Sequence, residues 1–322
     1  MNDNMEELPE TEAQKIFNKE REDQVNSDLL SELVDHVSRG DNYIPWEPVT
    51  LPSQGIYYGD KIPYGRIEVK PMGVDVDKLL TNQRLIENGS LPSKIVEVCT
   101  RLPDDFSVRE MLAGDFNFLL YYLRGITHGN SYEFISECPY CKTKNNYTFD
   151  LSNLQETVQV PNENYLEEPM EVHLPKLSES FGKSVNALVR LIRVDDIMKM
   201  SRPGNDKIFD PVSKGQARIR KKNNQNKTQV KNAGVDASKL YQDNMKRQIV
   251  ALIINSEEYK DDRIFQIIDT LHQKDAAVIR DFIEEISPGV DTSLEVTCQN
   301  TECAKDTTIM LPWSENFFRS NN

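Results

Sequence analysis

The sequence predicts an α+β fold of two tandem copies of one unit, each a helix running into a β-hairpin, with the hairpin tips clasping a zinc-ribbon-like site of four cysteines. Three observations predict it. The stretch from Asp115 to Cys141 recurs from Asp275 to Cys303 at a constant offset of 160 residues, Phe118 matching Val278, Leu119 matching Ile279, Leu123 matching Ile283 and Cys138 matching Cys298. Each stretch ends in a close cysteine pair, Cys138-Pro-Tyr-Cys141 in one and Cys298-Gln-Asn-Thr-Glu-Cys303 in the other. Upstream, Val69 to Asp75 aligns with Val189 to Asp195 at an offset of 120, so the duplication extends to the strands that open each copy.

Within each copy the apolar positions 118, 119, 122, 123 and 126, and likewise 278, 279, 282, 283 and 286, share one helical face. Asp115 and Asp275 suit a helix N-cap, where a short carboxylate accepts bonds from free N–H groups of the first turn. Gly129 and Gly289 suit the left-handed residue that ends such a helix. The cysteine pairs lie between β-prone residues, Tyr132 to Ile135 and Tyr147 to Phe149 in copy A, Leu294 to Val296 and Thr307 to Leu311 in copy B. A turn with cysteines three to five positions apart aims two thiolates at one point, and tetrahedral zinc needs four ligands. The economical reading is one structural zinc shared by Cys138, Cys141, Cys298 and Cys303. The alternatives are reduced thiols in two ordinary turns, or disulfides.

Composition bounds the rest. A chain of 322 residues allows two modest domains, each with its own core. The sequence holds no apolar run long enough to span a bilayer, and the acidic, polar residues 1–22 are unlike a secretory signal, which together predict a soluble, cytosolic protein. Five cysteines argue against a disulfide framework, and the odd one, Cys99, reads as a small buried hydrophobe. A net charge of −14 opposes binding to nucleic acid or anionic lipid, which leaves protein as the expected partner.

In chain order, residues 1–50 read as an acidic arm, partly disordered or helical, the helical alternative running from Glu12 to Val37; its first 35 residues hold eleven acids against three bases. Copy A spans 51–160, with a strand at Arg66–Lys70 and helical segments at Val74–Leu80 and Pro92–Thr100. Copy B spans 161–322, with a strand at Asn186–Arg193 and a helix over 236–255 whose apolar face is Met245, Ile249, Leu252 and Ile253. The two offsets differ by 40 residues, which places an insertion at about 201–240. Within it, Lys214 to Lys231 carries seven Lys or Arg and no acid, and reads as a flexible loop that lacks aromatics for base stacking. Deleting residues 214–231 should leave the thermal midpoint nearly unchanged, because lengthening a surface loop costs only about 0.6 kcal/mol per doubling. A drop of many degrees in a melting curve would show instead that the segment packs.

Catalysis finds little support. His36, His128, His173 and His272 are scattered, and no phosphate loop, dinucleotide fingerprint or nucleophile elbow occurs. A zinc hydrolase needs an open fourth position, whereas four cysteines fill the shell. The enzyme reading is therefore set aside.

Leu51-Pro-Ser-Gln-Gly55, Leu79-Leu-Thr-Asn-Gln-Arg-Leu-Ile-Glu-Asn-Gly89, Ala113-Gly-Asp115, Leu123-Arg-Gly-Ile-Thr-His-Gly129, the cysteine pairs, and Leu311-Pro-Trp-Ser-Glu-Asn-Phe-Phe318 follow one another in a distinctive order. Over roughly residues 51–320 this order resembles the baseplate hub assembly proteins of T-even-type contractile-tailed bacteriophages. The resemblance implies a virion or assembly role at the centre of the tail baseplate, or in the host cytoplasm while the baseplate is built, with other baseplate or tail hub proteins as partners and an oligomeric setting within the hub. The acidic arm, the basic insertion and the longer Cys298–Cys303 spacing depart from the pattern. A zinc-ribbon nucleic-acid binder is the competing reading, but only Lys142, Lys144 and Lys305 flank the knuckles, beside Glu295, Glu302 and Asp306. Tyr43, Trp46, Trp313, Phe317 and Phe318 are the candidate interface anchors, since aromatics bury large apolar area at low conformational cost. For Trp313, Phe317 and Phe318 the alternative is that they fold back onto the chain's own core.

Overall fold

The computed structural model describes residues 27–35, 44–200, 244–312 and 317–319. The chain divides into Met1–Pro45 and Trp46–Asn322. In the first unit, residues 27–35 form helix α1, with Leu29, Leu30, Leu33 and Val34 all exposed. The second unit is α+β and duplicated.

Just ahead of residue 51, where the sequence places the start of copy A, β1 (Glu47–Thr50) already pairs antiparallel with β2 (Arg66–Val69), and β2 pairs with β3 (Thr100–Arg101). Between β2 and β3 run α2 (Val74–Leu80), α3 (Gln83–Glu87) and α4 (Leu91–Cys99). Helix α5 (Ala113–His128) leads into the hairpin β4 (Ser131–Glu137) and β5 (Lys144–Asp150). A short β6 (Val158–Gln159) ends the copy. Copy B repeats the plan. Strand β7 (Met170–His173) pairs with β8 (Val185–Val189) across helix α6 (Pro175–Phe181), and α7 (Val194–Met200) follows. After the short helix α8 (residues 244–248) comes β9 (Ile249–Ile254), paired with both β8 and β10 (Glu257–Tyr259). Helices α9 (Ile264–Asp269) and α10 (Gln273–Ile286) precede β11 (Gly289–Val290) and the hairpin β12 (Ser293–Thr297) and β13 (Asp306–Met310).

Matched hydrogen bonds show the duplication at atomic level. Leu51 donates its N–H to Gly65 O at 2.9 Å, as Leu174 does to Val185 O at 3.0 Å, and Lys70 donates to Cys99 O at 2.9 Å as Arg190 does to Gln248 O at 2.8 Å. These pairs also show where the extra residues of copy B fall. The offset is 120 at Lys70 and Arg190, 149 at Cys99 and Gln248, and 160 at Asp115 and Asp275. Part of the difference therefore lies between Gln248 and Asp275, where β10 and α9 stand. The remainder falls before Gln248, in a stretch whose residues 201–243, including the basic loop, are outside the described residues.

Four expectations need correction. Residues 236–255 do not form one helix, because Ile249–Ile254 is the strand β9, flanked on both sides. A short continuous apolar run suits a strand buried on both faces, and periodicity alone does not separate it from a helix. Asp115 and Asp275 are not N-caps: Leu112 and His272 hold those positions, and both carboxylates are fully buried. Each instead reaches the Leu-Pro segment that opens its own copy. Asp115 accepts from Ser53 N–H at 2.8 Å and from Tyr58 OH at 2.5 Å, and Asp275 accepts from Lys176 N–H and Leu177 N–H at 2.8 Å each. Gly289 does not end a helix in the left-handed conformation, and Gly129, which does follow α5 with φ 84°, has ψ 165° and so is not in the left-handed helical conformation either. Gly289 lies in β11, where a Cβ would come within 3.1 Å of the Gly114 Cα, and a Cβ on Gly114 would collide with the Pro288 carbonyl oxygen. Lastly, Phe317 and Phe318 are not free anchors, as both are buried.

One core runs through both copies. Helix α5 buries Phe116, Leu119, Leu120 and Leu123, each contributing about 1.5–3 kcal/mol by leaving water. The chain beyond β13 returns to copy A: Tyr121 OH donates to Leu311 O at 2.9 Å and Tyr132 OH to Pro312 O at 2.8 Å. Phe317 then packs edge-on against Tyr121, Tyr132 and Phe318, with ring centroids 5.4, 5.2 and 4.8 Å away. Cys99 is fully buried as expected, and burial pushes its thiol up to about 12.

Near the junction of the copies, Arg190 grips Asp196 through two bonds of 2.8 Å, and Arg193 N–H adds a third of 3.0 Å. Burial opposes ionisation of Asp196, but these donors outweigh it and hold the carboxyl below its ordinary value. A depressed carboxyl contributes stability above the unfolded pKa of about 3.9 and loses it as pH falls through the folded value. Asp196→Asn should cost about 1.5–3 kcal/mol at pH 7, and the gap to the parent should close below about pH 4. Urea midpoints measured from pH 7 to pH 3 check both statements, and a gap that is constant with pH would contradict them.

Candidate metal centre

The tips of the two hairpins meet. Cys138 and Cys141 lie in the loop joining β4 to β5, and Cys298 and Cys303 in the loop joining β12 to β13. Each loop is closed by its first cysteine, whose N–H donates across the loop mouth: Cys138 to Thr143 O at 2.9 Å and Cys298 to Lys305 O at 3.0 Å. Just past the second cysteine each chain enters the left-handed region, at Lys142 (φ 63°) and Ala304 (φ 41°). The two extra residues of the second loop are absorbed by a turn on Asn300, whose carbonyl accepts from Cys303 N–H at 2.9 Å and Ala304 N–H at 2.8 Å. The Asn300 side chain accepts from Glu302 N–H at 3.0 Å, the local bond that favours asparagine in turns. The longer spacing thus changes the loop without changing where its thiols point.

The four sulfurs converge within 4.8 Å of one another. Cys141 and Cys298 are 3.6 Å apart and Cys138 and Cys303 3.9 Å, all four as free thiols. Zinc with four thiolates at about 2.3 Å sets sulfur–sulfur edges of about 3.8 Å, so these distances fit a tetrahedral ion. Cys138 and Cys298 are buried, and Cys141 and Cys303 half-buried. The electrostatics divide the set. The Cys141 N–H lowers Cys138, and the bond to Thr143 Oγ1 takes Cys141 down to about 6. Burial raises Cys298. Against the pull of Lys305 N–H, burial and the neighbouring sulfurs raise Cys303 to about 11. Four negative sulfurs this close repel one another, and a divalent cation is what would let all four ionise.

Polar neighbours that the sequence did not single out position these sulfurs. Asn145 is buried; its amide N–H reaches Cys298 Sγ at 3.7 Å and its Oδ1 accepts from Gln299 N–H at 3.1 Å. Gln299 brackets Asn146, accepting from its N–H at 3.3 Å and donating to its carbonyl at 2.5 Å. Tyr147 OH donates to Thr297 O at 3.1 Å. The hairpins therefore touch through direct bonds as well as through the thiols. The available signal was the polar run Lys144-Asn145-Asn146, but in an alternating hairpin such residues read as solvent-facing.

The basic residues nearest the tips are engaged locally. Lys305 lies 4.6 Å from the Tyr140 ring centroid, and Lys142 stands 4.0 Å from Glu137. Among the interface candidates, Trp46 is half-buried beneath Arg101 and Lys70, at 4.2 and 5.6 Å from its ring centroid. Tyr43 and Trp313 lie outside the described residues. His128 makes a 3.3 Å contact with Phe318 O and sits apart from the thiols.

Fold and centre together define a duplicated α+β protein whose two halves bring four cysteines to one point. A family described as T4 bacteriophage base plate protein matches residues 56–319, and the chain belongs to that family. It is a structural protein of the bacteriophage tail baseplate, with baseplate proteins as its partners, and this family points to a non-enzymatic role. No curated protein and no solved structure matches the chain. No helix among the described residues is long and apolar enough to cross a membrane.

Proposed function

We propose that the protein is a structural or assembly component of the baseplate hub, acting through protein–protein contacts, with one structural zinc held by Cys138, Cys141, Cys298 and Cys303. The observation that carries this reading is the convergence of four free thiols from matched hairpins in a baseplate-family chain. In this reading residues 51–160 and 161–322 are the two repeated units, and the metal fixes one against the other. In sequence the arm at 1–50 precedes these units and the insertion at about 201–240 interrupts the second, and Tyr43, Trp46 and Trp313 are the aromatic contacts. The protein joins the hub in the host cytoplasm and is carried into the virion.

Fractionated baseplate assemblies from infected cells, probed with purified tagged chain, test the hub assignment. Retention of central hub proteins is the expected result. Binding confined to peripheral baseplate proteins would contradict it, and recovery of nucleic acid with no baseplate protein would favour the zinc-ribbon binder.

A further inference from the structure

The two copies meet through a backbone bridge of two hydrogen bonds. Ala113 N–H donates to Ile192 O and Val194 N–H to Met111 O, each at 2.9 Å, with Leu112 opposite Arg193. The contact is one-way: the entry to helix α5 in copy A meets the strand-to-helix junction before α7 in copy B. The repeat offsets identify the corresponding segments that this contact leaves over. Leu271-His272-Gln273 of copy B corresponds to Met111-Leu112-Ala113, and Met72-Gly73-Val74 of copy A corresponds to Ile192-Arg193-Val194.

Among the described residues, Leu271 O, Gln273 N–H, Met72 O and Val74 N–H, the four groups that would form the second bridge, have no hydrogen-bond partner. On the copy B side the backbone is already in shape for it. His272 has φ −62° and ψ 140°, against −62° and 144° for Leu112. Val194 is fully buried, whereas its counterpart Val74 is 74 % exposed.

We propose that a second copy of this chain completes the pattern, Leu271–Gln273 of one molecule pairing with Met72–Val74 of the next, head to tail. A heterologous contact of this kind closes into a ring or continues as a filament, according to its rotation. Exposed His272 stands where copy A has buried Leu112. That exchange makes this half of the bridge polar, which suits a contact formed between folded chains, whose rims are polar and solvated.

The two free donors fall at the first residues of α10 and α2, where proline is tolerated because its missing N–H is not needed within the helix. The residues before them, His272 (ψ 140°) and Gly73 (ψ −170°), are extended as a following proline requires. In sedimentation velocity over a concentration series, the full chain should grow beyond a monomer. Gln273→Pro and Val74→Pro should each remain monomeric with an unchanged melting midpoint, and an equimolar mixture of the two should give a dimer and nothing larger, since each retains one intact half. If a proline variant fails to fold, Val74→Arg at the exposed site substitutes for it and should likewise give a monomer. A parent chain that is monomeric throughout, variants that assemble like the parent, or variants that do not combine when mixed would each overturn the proposal.

Discussion

Replacing Phe317 with alanine is expected to destabilise the protein by about 3–5 kcal/mol and to lower its thermal midpoint by about 10 °C. The side chain is fully buried, wedged between Tyr121 of α5 and Tyr132 of β4, and covered by Phe318. Its removal leaves a cavity that those rings, tied by their hydroxyls to Leu311 O and Pro312 O, cannot easily collapse to fill. A residue near the C-terminus so placed belongs to the core of copy A, although it follows the last strand of copy B. Differential scanning calorimetry checks the figure. A midpoint within about 2 °C of the parent would show that the tail adds little to the core and would return Phe317 to the list of interface anchors.

The second large effect concerns the thiols. Replacing Cys298 with serine, or stripping metal with a chelator, should lower the thermal midpoint by more than about 10 °C, because in a structural site the free energy of metal binding is part of the free energy of folding. Most of the structure should nonetheless survive below that midpoint, since the core of Leu51, Ile95, Leu120 and Val189 does not depend on the thiols. What should loosen first is the contact of the hairpins, where the bonds from Gln299 N–H to Asn145 Oδ1 and from Tyr147 OH to Thr297 O then act without the metal. Limited proteolysis at residues 138–143 and 298–305 reads that loosening. Re-adding zinc to the chelated parent should restore both midpoint and protection, and to Cys298→Ser neither. A parent whose midpoint and cleavage pattern ignore the chelator would remove the metal from the account of stability.

The duplication was legible because it is written in registered apolar positions and in two cysteine pairs, which local spacing reports directly. The clasp was legible for the same reason: neither knuckle has four ligands alone. Other features depended on contacts far along the chain. Asp115 carries the composition of an N-cap, and only the approach of Ser53 and Tyr58 shows that it ties the opening of copy A to its main helix. Ile249–Ile254 is apolar at every position and shows no alternation, so its strand character emerges only once β8 and β10 pair with it. Phe317 reads as a terminal aromatic, and its burial is decided by a return to residues nearly two hundred positions earlier in the chain. Asn145 looks like a surface residue until Gln299 and Cys298 arrive from the other copy.

The most direct measurement is the metal content of the full chain, purified without chelator, taken by elemental analysis together with native mass spectrometry and thiol titration after metal removal. The account predicts one zinc per chain, four thiols that become titratable only when the zinc is removed, and no zinc in Cys298→Ser. A chain with no bound metal, or one whose Cys138, Cys141, Cys298 and Cys303 are found paired as disulfides, would contradict it.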